Sequence, residues 1–385
     1  MVRSHRYYSH DYVIGRMDEG KIMVIKPAAQ VEHIVQNKPK MNLIGLCPDP
    51  ANLIDRHPGV RLDKLKKLAY KSVLSSDLFD AEMLYELSKV AAYLQLKRIS
   101  PDAALSDKIL ATAFFEPSTR TRLSFESAIL RLGGKTISVT EAASTGVAKG
   151  EKLLDIGQMF NSYADMVVIR HTQQKAIQEL SEYLRIPMIN GGNGSDEHPT
   201  QALADWYALL KWKPGLTSDT LSEDRLHLGI VGTPGNMRTV KSFLILALLF
   251  KQNIEQITIV SEMADPLGDE VQSFCDSSPV PIYINNDLQT VLSTLDVIYM
   301  NSIAFLGDGY RTLGSRFKLN KDSTLKKDAV ILHPLARKDE LDLCLDHTPH
   351  NLYFNQADGA VFIRQALLLS IFDRLEHVLP NTLIE

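Results

Sequence analysis

Residues 115–122 read Phe-Glu-Pro-Ser-Thr-Arg-Thr-Arg, so three hydroxyls and two guanidinium groups fall within the five positions Ser118, Thr119, Arg120, Thr121 and Arg122. The segment lies between a short apolar run, Ile109 to Phe115, and a helical pattern from Thr121 to Leu132. A turn from a buried strand into a helix aims successive backbone N–H groups at one point, and nearby hydroxyls add donors, which makes an anion cradle. Ser118 or Thr119 could instead be a plain N-cap. Two arginines in a helix's first turn, however, oppose the macrodipole, and a bound phosphate reverses that cost where a plain cap does not.

Three more segments carry candidate chemistry in chain order. Arg170-His171 ends a strand-like run, with His171 read as support for Arg170. His198-Pro199-Thr200-Gln201 opens a helix, although Pro at the first helical position is favoured on its own account. Arg238, in the run Gly232-Thr233-Pro234-Gly235-Asn236-Met237-Arg238-Thr239, begins a helix after a strand. Its G-x-x-G spacing is not the G-x-G-x-x-G of dinucleotide folds, and no acidic residue follows a second strand suitably.

These residues need a scaffold, and the hydrophobic periodicity supplies one. Strand-like runs at 109–115, 136–139, 166–169 and 187–190 alternate with helical patterns at 80–96, 121–132, 153–163, 175–183 and 201–210. After a polar break at 213–224 the pattern restarts with strands at 226–231, 256–260, 297–300 and 329–332, and a helix at 237–250. The expected fold is α/β: two doubly wound domains with mainly parallel sheets, joined by interdomain helices. The expected divisions are a basic extension (1–70), two domains (71–212 and 213–360) and a C-terminal helix (361–385) returning to the first domain. In such sheets ligands bind at the carboxyl ends of strands, where all of the candidate segments lie.

Composition narrows the class. The 385 residues are 45% hydrophobic and 23% charged, with 21 Gly and 17 Pro, which excludes collagen-like, low-complexity and mostly disordered chains. Cys47, Cys275 and Cys344 are far apart and form no C-x-x-C, which argues against a disulfide scaffold or a zinc knuckle. The apolar run Phe243 to Phe250 is too short to span a bilayer and the N-terminus lacks an apolar signal core, so a cytoplasmic protein with no membrane partner is expected. Residues 1–70 hold 12 Lys+Arg against 7 Asp+Glu, a net of +5 that leaves −9 for the rest. With five prolines, few aromatic residues and no recognised motif, this segment reads as a surface extension rather than a nucleic-acid site.

Ser118-Thr119-Arg120-Thr121-Arg122 resembles the carbamoyl-phosphate motif of the transcarbamoylases, the family of aspartate and ornithine carbamoyltransferases. Arg170-His171, His198-Pro199-Thr200-Gln201 and His333-Pro334-Leu335-Ala336-Arg337 match further motifs in order, and the last resembles the aspartate branch, as does Lys149-Gly150-Glu151. The likeness covers about residues 72–380. It implies transfer of a carbamoyl group from carbamoyl phosphate to the amine of L-aspartate in pyrimidine synthesis, without a cofactor or metal.

The resemblance also implies roles. Ser118, Thr119, Arg120 and Thr121 hold the phosphate. Arg170, His198 and Gln201 hold the carbamoyl group, with Arg170 and His198 polarising its oxygen. The Leu335 carbonyl takes the carbamoyl NH2, and Arg238 pairs with the acceptor carboxylate. Lys149 reaches in from a neighbouring subunit of a homotrimer with shared sites. Donors aimed at a developing oxyanion are worth roughly 3 kcal/mol or more each, and the arginine fork suits phosphate.

Two departures stand out. Ser302 and Ala304 replace the aspartate branch's R-x-Q pair, so Arg311, Arg316 or Lys318 substitutes, or the acceptor is a different amine, or the chain is a silent homologue serving as a structural or regulatory subunit. Ala336 replaces a proline preceded by a cis peptide, and a cis Leu335–Ala336 bond is expected to persist.

Overall fold

The computed structural model describes residues 7–9, 12–16, 22–25, 45–97, 103–140, 151–217, 220–221, 224–301 and 314–385. Lys149, Ser302, Ala304 and Arg311 lie outside them. Residues 1–43 and 44–385 form two units. The first holds an antiparallel sheet of β1 (Tyr7–Ser9), β2 (Tyr12–Arg16) and β3 (Ile22–Ile25). No strand is expected there from composition, but the prolines of this region, Pro27 onward, all lie beyond β3.

Residues 45–70, expected as part of the extension, belong to the second unit. They carry α1 (Ala51–Arg56) and α2 (Leu62–Lys66), whose Leu53, Leu62 and Leu65 are buried in its main core. Next come α3 (Ala81–Lys97), β4 (Ile109–Phe114), α4 (Thr119–Arg131), β5 (Lys135–Val139), α5 (Leu153–Tyr163), β6 (Met166–His171), α6 (Ala176–Ser181), β7 (Met188–Asn193) and α7 (Pro199–Trp212). The four strands form a parallel sheet in the order β5-β4-β6-β7. β4, β6 and β7 are almost wholly buried, as continuous apolar runs in a covered parallel sheet should be.

A second parallel sheet follows. Its elements are β8 (Leu226–Val231), α8 (Arg238–Ala247), β9 (Ile254–Val260), α9 (Gly268–Asp276), β10 (Ile282–Asn285), α10 (Leu288–Val291), β11 (Val297–Tyr299) and β12 (Val330–Leu332). The strand order is β10-β9-β8-β11-β12. The edge strand β10 is not legible in the sequence, because it is four residues long and closely follows Pro279 and Pro281. The last long helix, α11 (Tyr353–Ile371), starts and ends earlier than its expected range of 361–385. Gly359 looks like a break in the pattern but sits inside the helix, where a Cβ would come within 3.0 Å of the Tyr207 ring. The glycine permits α11 to lie close against α7.

The two sheets share one core. Trp206 of α7 stacks on Phe243 of α8 and on Phe250, at 5.4 and 4.4 Å between ring centroids, and Phe243 stacks on Tyr299 of β11 at 4.0 Å. α11 packs on α3, α4 and α7. In both sheets the strand order reverses beside the first strand, between β4 and β6 and between β8 and β11, and such reversals open a crevice at the strands' carboxyl ends.

Candidate active site

The two crevices open into one cavity of about 700 Å³. Ser118, Thr119, Arg120, Thr121, Arg170, His198, Gln201, Arg238 and Leu335, the described residues expected at the site, all line it. Residues from the ends of β4, β6 and β7 meet residues from the ends of β8, β11 and β12 across this space.

Three helices begin here without a side-chain cap and without an acidic residue in their first turns: α4 after Ser118, α7 after His198 and α8 after Met237. The side-chain cap that helix starts ordinarily receive is absent at each, and the partial positive charges of these helix starts add to Arg120 and Arg238. The plain N-cap reading of Ser118 therefore fails. Arg120 has no hydrogen bond or ion pair among the described residues, and burial lowers its pKa. Arg122, by contrast, pairs with Glu126 along the helix at 3.5 Å and does not line the cavity.

Beside the turn, Thr121 Oγ1 lies 3.2 Å from His198 Nε2. The His198 ring is buried and its Nδ1 has no partner among the described residues. Burial first, then the charges of Arg170, Arg238 and Arg364, holds its pKa well below the usual 6.5, so the ring is neutral and keeps one N–H to donate. Because the shift is downward, the proton comes off well on the acid side of neutrality. An NMR titration should accordingly find no protonation step of His198 between about pH 6 and 8, where an unperturbed histidine titrates.

One acidic side chain enters the cavity, and it is not among the expected residues. Glu116 Oε1 accepts from Arg170 Nη2 at 2.9 Å and from Arg238 Nη2 at 2.7 Å, while its Oε2 accepts from Arg238 Nη1 at 2.9 Å. Burial raises its pKa, but the two arginines outweigh that and keep Glu116 ionised. Arg238 also donates to the Gly194 carbonyl at 2.7 Å, so a residue of the second sheet's helix is tied to the first sheet. Glu116 leaves Arg120 and the hydroxyls of the turn untouched. Its position before Pro117 is visible in the sequence, but its partners lie 54 and 122 residues away. Burial, with Arg238 close by, pushes Arg170 down to about 10, and its Nε is a buried donor with no partner among the described residues.

Other expected residues take supporting places. His171 accepts the Gln173 N–H on Nδ1 at 3.0 Å and packs against Phe115. Arg337 pairs with Asp346 away from the cavity. Arg316 and Lys318, candidates for a second acceptor contact, pair instead with Glu262 at 3.4 Å and Asp339 at 2.6 Å, and neither lines the cavity. The Leu335–Ala336 peptide is cis, as expected, and Leu335 has φ +54°.

Comparison with known proteins places this geometry. Residues 71–211 match the family model described as "Aspartate/ornithine carbamoyltransferase, carbamoyl-P binding domain", and residues 224–371 match "Aspartate/ornithine carbamoyltransferase, Asp/Orn binding domain". The aspartate carbamoyltransferase catalytic subunit of Pyrobaculum calidifontis is 38% identical over 307 residues, covering 78% of this chain and 97% of the relative. The chloroplastic aspartate carbamoyltransferase of Arabidopsis thaliana is 36% identical over 315 residues, covering 79% of this chain and 78% of the relative. The crystal structure of Trypanosoma cruzi aspartate transcarbamoylase with N-(phosphonacetyl)-L-aspartic acid aligns with a TM-score of 0.69 at 29% identity, covering 80% of this chain and 97% of that one.

Proposed function

The chain belongs to the aspartate/ornithine carbamoyltransferase family, and on that premise we propose that it moves the carbamoyl group of carbamoyl phosphate to the amine of L-aspartate, giving N-carbamoyl-L-aspartate and phosphate. The observation that carries this reading is the open cradle at the start of α4, a helix N-terminus where, among the described residues, the Ser118 and Thr119 hydroxyls and Arg120 have no partner, facing Arg170 and His198 across one cavity.

The uncharged amine attacks the carbamoyl carbon and forms the N–C bond. Negative charge develops on the carbonyl oxygen, where the free Nε of Arg170 and the neutral His198 ring supply donors. The bond from the carbamoyl carbon to the bridging oxygen then breaks, and the phosphate departs with that oxygen onto Ser118, Thr119, Arg120 and Thr121, taking the amine proton. Arg238 holds the acceptor's carboxylate once Glu116 shares it.

The assembly proposed is a homotrimer in which Lys149 completes a neighbour's site. Ile137, Leu154, Met159 and Tyr163 are exposed apolar side chains on the elements that flank residues 141–150, beside an apolar hollow of about 300 Å³. A second copy covering that face would bring Lys149 to the partner. Three free thiols suit a reducing compartment such as the cytoplasm.

The test is phosphate release by the purified chain with carbamoyl phosphate and a panel of amino acids. Saturation by aspartate is expected; saturation by ornithine or a neutral amino acid but not aspartate overturns the acceptor. Sedimentation should give three times the 43.1 kDa of one chain.

A further inference from the structure

On α7, one turn beyond Gln201, Asp205 is fully buried. Its Oδ1 accepts from Gln201 Nε2 at 2.7 Å and from Gln356 Nε2 at 2.5 Å, and its Oδ2 accepts from the Tyr299 hydroxyl at 2.8 Å. These donors come from α7, α11 and β11, so the carboxylate sits where both sheets and the last helix meet. Burial pushes Asp205 up to about 7, with its three hydrogen bonds and the charge of Arg364 pulling the other way.

All three hydrogen bonds run into the Asp205 oxygens, so in this arrangement the carboxyl group only accepts, as its ionised form does. Gln201 must therefore turn its NH2 to Asp205 and leave its carbonyl oxygen free. The same constraint turns the Gln356 carbonyl away from Asp205 and onto the His333 N–H, at 2.9 Å. His333 Nε2 faces Glu340 Oε1 at 2.9 Å, which puts the ring proton on Nε2 and leaves Nδ1 to accept the Leu335 N–H at 2.8 Å. That bond anchors Leu335 in its left-handed conformation at φ +54°. Among the described residues neither Gln201 Oε1 nor the Leu335 carbonyl accepts a hydrogen bond, and both residues line the cavity. Two free acceptors are what an NH2 group with two N–H bonds requires.

We propose that Asp205 is the positioning residue that makes this site read the NH2 of its donor substrate, acting directly on Gln201 and, through Gln356 and His333, on Leu335. The proposal rests on the carbamoyl-transfer reading and deepens it: the discriminated feature is an amide NH2 against an isosteric methyl group. Asp205→Leu keeps the approximate volume but offers the Gln201 and Gln356 NH2 groups no acceptor, so either amide is free to turn and present N–H where the substrate also presents N–H.

The experiment measures dissociation constants of carbamoyl phosphate and of acetyl phosphate, which carries a methyl in place of NH2, for the full-length parent and variant by calorimetric titration. Asp205→Leu should weaken carbamoyl phosphate roughly 10- to 100-fold, the penalty of one unmatched buried polar group. Acetyl phosphate should change less than about threefold, because its phosphate contacts are unaltered. Equal weakening of both ligands, as a purely structural role predicts, overturns the proposal, as does no change in either. If Asp205→Leu does not fold, Gln356→Leu, which spares the Asp205–Gln201 bond, must show the same selective loss to a smaller degree, and an unaltered ratio there overturns the proposal equally. Turnover separates the two levels: a parent that releases no phosphate with any amine overturns the transfer reading, whereas a parent that turns over with unselective variants overturns only the role of Asp205.

Discussion

Arg120→Ala is expected to lower kcat/KM by about three orders of magnitude while leaving the folded protein as stable as before. The size follows from removing the cationic partner of a desolvated phosphate, which costs about 3–5 kcal/mol, a factor of hundreds to thousands in affinity for the bound state. The lack of a stability cost follows from Arg120 having no partner among the described residues and from its position in the first turn of α4, where its charge opposes the helix dipole. The melting temperature should move by no more than about 2 °C, as for a surface substitution. Inhibition by free phosphate should weaken in proportion. Arg120→Lys should recover part of the loss, because a point charge replaces a fork that can grip two phosphate oxygens. A loss below tenfold, measured by phosphate release and differential scanning calorimetry, would remove the cradle from the mechanism.

Arg170→Met is expected to reduce kcat by about 10²- to 10³-fold, the range for deleting one preorganised oxyanion donor. The buried Nε is the relevant atom. Among the described residues it has no partner, whereas the two other guanidinium nitrogens are taken, Nη2 by Glu116 at 2.9 Å and Nη1 by the Gly191 carbonyl at 3.2 Å. The substitution should also raise the KM for the acceptor, because Glu116 would then bind Arg238 alone. Restoration of that KM in the Arg170→Met, Glu116→Gln double variant, without restoration of kcat, is the expected signature. Residues that share a partner are coupled, so the two single effects should not add. Purely additive effects on the KM would show that Glu116 does not hold Arg238 back from the acceptor.

Much of this protein is legible in its sequence because the physics involved is local. A strand that must be buried reads as an apolar run, and a helix start with three hydroxyls and two arginines in the five residues from Ser118 to Arg122 reads as an anion site. The succession of strand, turn and helix along the chain is enough to put Ser118 to Thr121, Arg170, His198 and Arg238 at strand ends. Only the tertiary fold could decide which of these meet and what meets them from behind. Glu116 joins Arg170 and Arg238, and Asp205 joins Gln201, Tyr299 and Gln356, across as many as 151 residues of chain. Periodicity records which face of an element is buried but not what it is buried against. A buried charge accordingly looks in the sequence like any exposed Asp or Glu, until packing removes the water and leaves it only its hydrogen-bond partners.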